Sequence, residues 1–337
     1  MSPTKLLYAM AVFMVVATMG CGDKNEAKTV VVYTALDEMY SRPVLDDFEK
    51  IVGIKVQPVY DTEAAKTTGL VTRLIAEKNR PRADVFWNNE VAQTVVLKTK
   101  GVIEKYNSPS ADGIPAQFKD PDAFWTGFAA RARVIIYNTD LVKKPPTSIR
   151  DFLKPKWKGK AAIAKPLFGT TATHAAALFA AWGDEEAKSF FAGLLENDVA
   201  ILAGNATVRD MVARGEYAIG LTDTDDANGA VEDGLPARWL MPDQEQEGTL
   251  VIPNTVALVK GGPNPEAGKA LIDFLLSPEV ETRLAGMRSI QIPLNPAVKA
   301  PENVPDLTRL RTMKVDFNAV AARMASTAEY IREEFLK

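Results

Sequence analysis

With one cysteine, one histidine and no apolar run beyond about a dozen residues, this 337-residue chain is first informative through its shortages. A single cysteine excludes a disulfide framework, and a single histidine excludes His-rich zinc chemistry. A net charge of −3 gives no reason to expect nucleic acid, whose binders carry basic patches or stripes. There is no Walker loop and no G-x-S-x-G elbow. A metal-dependent hydrolase therefore has only an Asp cluster to rest on, with no paired His set beside it. No internal repeat or low-complexity segment interrupts the chain.

What is present begins at the N-terminus. Lys5 precedes an apolar run at 6–17, and Thr18-Met19-Gly20-Cys21 follows. That run is too short to span a bilayer and has the layout of a secretory signal peptide over residues 1–20. Cys21 directly follows a small residue, the spot at which bacterial lipoproteins are acylated. Thr18 stands where such sites usually carry Leu, so a spare cysteine in a general signal peptide is the competing reading. Residues 21–28, rich in Lys, Glu, Asp and Asn, then form a polar tether.

Beyond the tether, hydrophobic and charged residues stand at 47% and 25%, an ordinary globular balance, and the length suits two lobes. Residues 29–33 (TVVVY), 54–59 and 83–87 (ADVFW) read as strands. Helices are expected between them, with Ser41 near the first N-cap and Gly53 at its end, then over 62–78 and 91–100. Strands alternating with helices mean parallel βαβ units, so the fold class is α/β. A second such series runs from a long strand at 131–137 to another at 250–259. It contains a helix at 171–181, one at 184–195 capped by Asp184, one at 206–214, and a strand at 217–222. The domain map is therefore discontinuous: residues 29–129 with 253–337 form one lobe, 130–252 the other, and two extended segments hinge them. Ligands of open α/β sheets bind at the carboxyl ends of strands, so loops from both lobes face one cleft.

The strand at 217–222 runs into Asp223-Thr224-Asp225-Asp226. Such a cluster is either a solvated loop capping the next element or a site for something cationic. Gly169, Thr170 and Thr171 open a helix and offer N–H and O–H donors, to an anion or simply to the helix end. Arg131 and Arg133 alternate along the long strand, and one of them faces the cleft as an anion partner; periodicity does not say which. Tyr33, Tyr60 and Trp87 lie near strand ends and read as packing, and His174 as structural.

The stretch at 124–138, FWTGFAARARVIIYN, resembles the hinge segment of periplasmic ferric-iron-binding proteins, the substrate-binding components of ABC importers. VVVYTALDE, FEKIVGIKV, RADVFWNNE, PPTSIRDFLKPKWKGKAAIAKP and SPEVETRLAG agree with the same family in order along the chain. The resemblance implies a type II periplasmic-binding fold, two α/β lobes on a two-strand hinge. It further implies a non-enzymatic receptor, a monomer, that captures Fe3+ with a helper anion and delivers it to the permease. Such a protein works in the periplasm or on the outer face of the cytoplasmic membrane, touching lipid only through Cys21. Carried over by position, the family's first-loop ligand falls at or beside Asp37 and its Glu ligand at Glu90. Its Tyr-Tyr pair falls on Thr224 and Asp225, which is a departure. Asp223, Asp225 and Asp226 offer hard oxygen donors in place of the tyrosines, or partners for an ammonium group. Family position also favours an anion at Gly169, Thr170 and Thr171, with Asn205 and Arg131 as further donors. A phosphorylated or amino-phosphonate solute is the alternative ligand.

Overall fold

The structure is a computed structural model that describes residues 28–61 and 67–337. The signal segment, Cys21 and nearly all of its tether lie outside the described residues, as does the start of the helix expected at 62–78.

Ten strands are present among the described residues: β1 (Thr29–Thr34), β2 (Lys55–Tyr60), β3 (Val85–Asn88), β4 (Ile103–Glu104), β5 (Thr126–Asn138), β6 (Ala161–Ala164), β7 (Ala200–Leu202), β8 (Ile219–Asp223), β9 (Ala237–Leu240) and β10 (Val251–Val259). The helices run α1 (Glu38–Val52), α2 (Thr68–Ala76), α3 (Ala92–Thr99), α4 (Gly169–Trp182), α5 (Asp184–Glu196), α6 (Asn205–Ala213), α7 (Thr224–Glu232), α8 (Pro265–Leu275), α9 (Pro278–Ala285) and α10 (Phe317–Tyr330).

The strand path is β2-β1-β3-β10-β5-β8-β6-β7, with β4 against β10 and β9 against β5. β1 pairs in parallel with β2 and β3, and β6 pairs in parallel with β7 and β8, as βαβ units require. The long strands β5 and β10 run antiparallel to each other and connect the two parallel groups. All of β5 is buried except Tyr137, and all of β10 is buried; in β5 that burial includes Arg131 and Arg133.

Where the two long strands pass between groups, both depart from regular pairing. The β5–β10 register shifts between Ile252 and Asn254, and Ala129 sits at φ 43°. The Ala129 N–H donates to the buried Glu281 carboxylate at 2.7 Å, and the Asn254 side chain donates to the Phe128 carbonyl at 3.3 Å. Side chains thus hold a local backbone conformation that an alanine seldom adopts.

Three local differences from the sequence expectations have simple causes. Helix α1 starts at Glu38 with Asp37 at its cap, four residues ahead of the expected cap at Ser41, whose hydroxyl instead bonds back to the Leu36 and Asp37 carbonyls. Helix α5 takes Gly183, at φ 80°, as its cap, and Asp184 becomes its first residue. The Asp cluster is not a loop but the start of helix α7.

The C-terminal helix α10 packs on both α3 and α4, so one apolar cluster spans the two strand groups. Gly220 lets β8 approach α6: a Cβ there would lie 2.5 Å from Val208 Cγ1 and 3.0 Å from Val212 Cγ2. Gly220→Ala is expected to cost about 1–3 kcal/mol through overpacking, read as a lower denaturation midpoint.

Candidate functional site

Strand β8 is buried throughout and delivers Asp223 to the head of α7. Asp223 occupies the N-cap position, with Asp225 and Asp226 in the first turn, where the helix dipole favours negative charge. One oxygen from each of the three carboxylates lies within 4.8 Å of the others. Oxygens at that spacing are able to share one hard cation.

Two arginines sit against this cluster. Arg131 and Arg133, two apart on β5, share a face of the strand. Arg133 lies directly opposite Asp223 in the antiparallel register, and its Nη1 donates to Asp223 Oδ1 at 2.6 Å, with both side chains buried. The Arg131 Nη1 reaches Asp225 Oδ2 at 3.1 Å. Burial works against the Arg131 charge, but Asp225, Asp223, Asp37 and Asp226 together hold its pKa above the ordinary value. The alternation in the sequence thus resolves with Arg131 on the cavity wall and Arg133 behind it.

The start of α4 completes the floor. Thr170 Oγ1 donates to Asp223 Oδ2 at 2.5 Å, and Asn205 Nδ2 donates to the same oxygen at 2.8 Å. Asn205 Oδ1 accepts from Arg133 at 3.2 Å and from Thr171 Oγ1 at 3.1 Å. Both Asp223 oxygens therefore already accept hydrogen bonds from the protein. Asp223 joins the two donor sets of the sequence reading into one, tying the Asp cluster to the start of α4.

A cavity of about 880 Å³ opens over this floor. Of the residues singled out for a cation, Asp37, Asp223, Asp225 and Asp226 line it. Of those singled out for an anion, Gly169, Thr170, Thr171, Asn205 and Arg131 do. Two expected residues do not reach the wall. Glu90 is wholly buried: Oε1 accepts from Asn88 Nδ2 and the Gln93 N–H, and Oε2 from the Ala92 N–H and Thr173 Oγ1. It caps α3 and ties it to α4, while burial raises its pKa against the pull of those donors. Thr224 is buried as well, its hydroxyl accepting from the Ala132 N–H at 3.2 Å.

The wall also holds residues the sequence reading passed over. Met39 and Tyr40 come from the first turn of α1, Arg209 from α6, and Arg288 from the loop after α9. Arg288 lies in none of the strand-end loops, so pattern alone offers no signal for it. Tyr40 had one, since it follows Asp37 by three residues, but only the earlier helix start places both on one face. Burial first, then the charge of Asp225, raises the Tyr40 pKa.

A family model described as bacterial extracellular solute-binding protein matches residues 82–319. Iron uptake protein A1 of Synechocystis sp. is 26% identical over 312 residues, covering 89% of this chain and 84% of its own length. The crystal structure of the apo ferric ion-binding protein A of Pasteurella haemolytica superposes with a TM-score of 0.82 at 23% identity, covering 91% of this chain and 98% of that one. A periplasmic binding protein of Actinobacillus pleuropneumoniae with fructose-6-phosphate bound gives 0.80 at 24%, covering 92% and 99%. At these identities the two structures speak for the fold, which is that of periplasmic binding proteins.

Proposed function

This chain belongs to the bacterial extracellular solute-binding proteins, and on that premise we propose that it is the receptor of an ABC importer that captures ferric iron with a helper anion. The observation that carries the reading is the head of α7, where Asp225 and Asp226 line the cavity beside the hydrogen-bonded Asp223 and the start of α4. Carboxylates supply hard oxygen donors to the metal, and the N–H and hydroxyl groups of Gly169, Thr170 and Thr171 suit the anion. Arg131 neutralises part of the carboxylate charge and gives the anion a cationic neighbour. The similarity to the iron uptake protein A1 of Synechocystis sp. along most of the chain supports the metal.

The working cycle in this reading is closure about β5 and β10, with residues 29–129 and 253–337 moving against 130–252, followed by docking of the closed form on the permease. Ligand shifts the population by binding the closed form more tightly, and no catalytic step is involved. The protein is read as a monomer held at the outer face of the cytoplasmic membrane by a lipid on Cys21. No helix among the described residues is long and apolar enough to cross a membrane.

A phosphorylated solute is the second reading, favoured by one observation. The cavity, at about 880 Å³, is larger than a metal with a small anion needs, and it lies in the range of about 300–1,000 Å³ usual for organic ligands. Arg131, Lys165, Arg209 and Arg288 on its wall suit a phosphate group.

A thermal-shift panel on the apo protein separates the two. It covers Fe3+ with citrate or carbonate, Mn2+, phosphate, aminoethylphosphonate and hexose phosphates. A ligand at 100 times its dissociation constant adds about 2.7 kcal/mol, an easily read shift. Iron with an anion is expected to give it, and Asp225→Asn to abolish it. A shift from a phosphonate or sugar phosphate with none from iron would establish the second reading instead.

A further inference from the structure

We propose that Glu90 and Thr173 form a clasp between the two halves of this receptor. The Thr173 hydroxyl bonds the Glu90 carboxylate when the halves are together and turns to the Gly169 carbonyl when they part. The clasp rests on the closing cycle proposed above and is indifferent to which ligand drives it.

Glu90 belongs to residues 29–129 and Thr173 to residues 130–252. Thr173 Oγ1 donates to Glu90 Oε2 at 2.7 Å, and both side chains are wholly buried. The other donors to this carboxylate, Asn88 Nδ2 and the N–H groups of Ala92 and Gln93, lie in its own half. Asn88 Nδ2 also donates to Thr94 Oγ1 at 3.1 Å, and that hydroxyl stands 2.7 Å from Thr255 Oγ1. Thr255 Oγ1 in turn donates to the Glu90 carbonyl at 3.3 Å. Its own half therefore fixes Glu90 from four sides. What the bond from Thr173 adds is a tie across the halves.

Thr173 has a second acceptor within reach. The Gly169 carbonyl, four residues back in α4, lies 3.4 Å from the same hydroxyl, the usual place for a helical threonine to bond. A hydroxyl carries one hydrogen, so the nearer carboxylate takes it here. If the halves part, the hydroxyl turns to Gly169 and no buried donor is stranded, while Glu90 keeps its other three. The bond is thus built to break at low cost. It also sits close behind the ligand, because Gly169, Thr170 and Thr171 of the same helix line the cavity. A hydrogen bond to a charged acceptor outweighs one to a carbonyl, so its loss is expected to shift the closed-to-open ratio about tenfold.

Small-angle X-ray scattering of the full mature chain tests this, first without ligand, then titrated with ferric citrate and, separately, with aminoethylphosphonate. Thr173→Val keeps the side-chain shape and removes the hydroxyl. It is expected to have a larger radius of gyration than the wild type without ligand. It is also expected to need about tenfold more of whichever compound contracts the wild type. Thr173→Ala, the second variant, is expected to behave alike, and Thr173→Ser, which restores the hydroxyl, to match the wild type. An unliganded radius unchanged in Thr173→Val and Thr173→Ala, or enlarged equally in Thr173→Ser, would overturn the clasp. A wild type that ferric citrate does not contract, with the unliganded radius enlarged in the valine variant and restored by serine, would overturn the ferric reading and leave the clasp standing.

Discussion

Replacing Arg133 by Met is expected to remove about 3–5 kcal/mol of folding stability, because it strands a buried carboxylate. The Arg133 and Asp223 side chains are 0% and 3% exposed, and they face each other across the β5–β8 ladder. Water cannot replace the lost partner there. Thr170 and Asn205 still donate to Asp223, but neutral donors compensate a buried charge poorly. The double variant Arg133→Met, Asp223→Leu is expected to recover most of the loss, since a buried pair exchanged for apolar groups of similar volume is often near neutral. Guanidinium denaturation of the two variants checks this. If Arg133→Met alone loses less than about 1 kcal/mol, the pair is not the fixed floor described above.

The second large effect is a pH slope set by one residue. His174 is the only histidine in the chain, buried in the second turn of α4. Burial, with a lesser contribution from Arg133, lowers its pKa to about 3. The unfolded chain takes up a proton at this residue near pH 6.5, whereas the folded chain does so only near 3. Between those values the unfolded state holds the extra proton, so stability falls as pH falls, by about 1.4 kcal/mol per unit. Asp243 and Glu247 line a small cavity with His174, and burial raises the pKa of Asp243. Glu90 and Glu281 are raised by burial too, and these raised carboxylates act with the opposite sign. Their stabilisation is present below the unfolded pKa and is lost as pH rises through the folded one. The informative quantity is therefore the difference between wild type and His174→Gln. That difference is expected to grow in favour of the variant from pH 6.5 to pH 4, as measured by chemical denaturation at each pH. A difference that stays flat over this range would mean that His174 titrates normally in the folded protein.

Much of the fold is legible in the sequence because its signals are local. TVVVY and the VFW of ADVFW are strands, the second wholly buried and the first buried but for Thr29 and Val31, and a short apolar run bounded by turn residues signals them directly. Gly53, at φ 75°, ends α1 where a left-handed residue was expected. The strands β4, β7 and β9 are too short to carry a period, and their existence depends on neighbours far away in sequence. The site divides along the same line. That the Asp cluster stands at the end of a strand can be read from its context, as can the run of hydroxyls at the head of α4. Which way a side chain turns cannot. Glu90 has the type and position of a ligand, yet it bends back to satisfy the amide groups of α3, a choice made by the packing of α4 above it. Arg133 looks like Arg131 in the sequence, and only the register against Asp223 separates a wall residue from a buried one.

The floor built by Arg133, Asp223, Thr170 and Asn205 lies entirely within residues 130–252, and its bonds are made inside that half. In the proposed cycle it needs no closure to form, so an arriving ligand meets a finished half-site. Capture and retention then fall to different parts of the chain. In that cycle the rate of arrival is set by the floor and the charges around it, and the time a ligand stays by the half that closes over it. On that proposal a lineage of such receptors is free to change how long it holds a solute, by substitutions in the half that closes, without altering how fast it finds it.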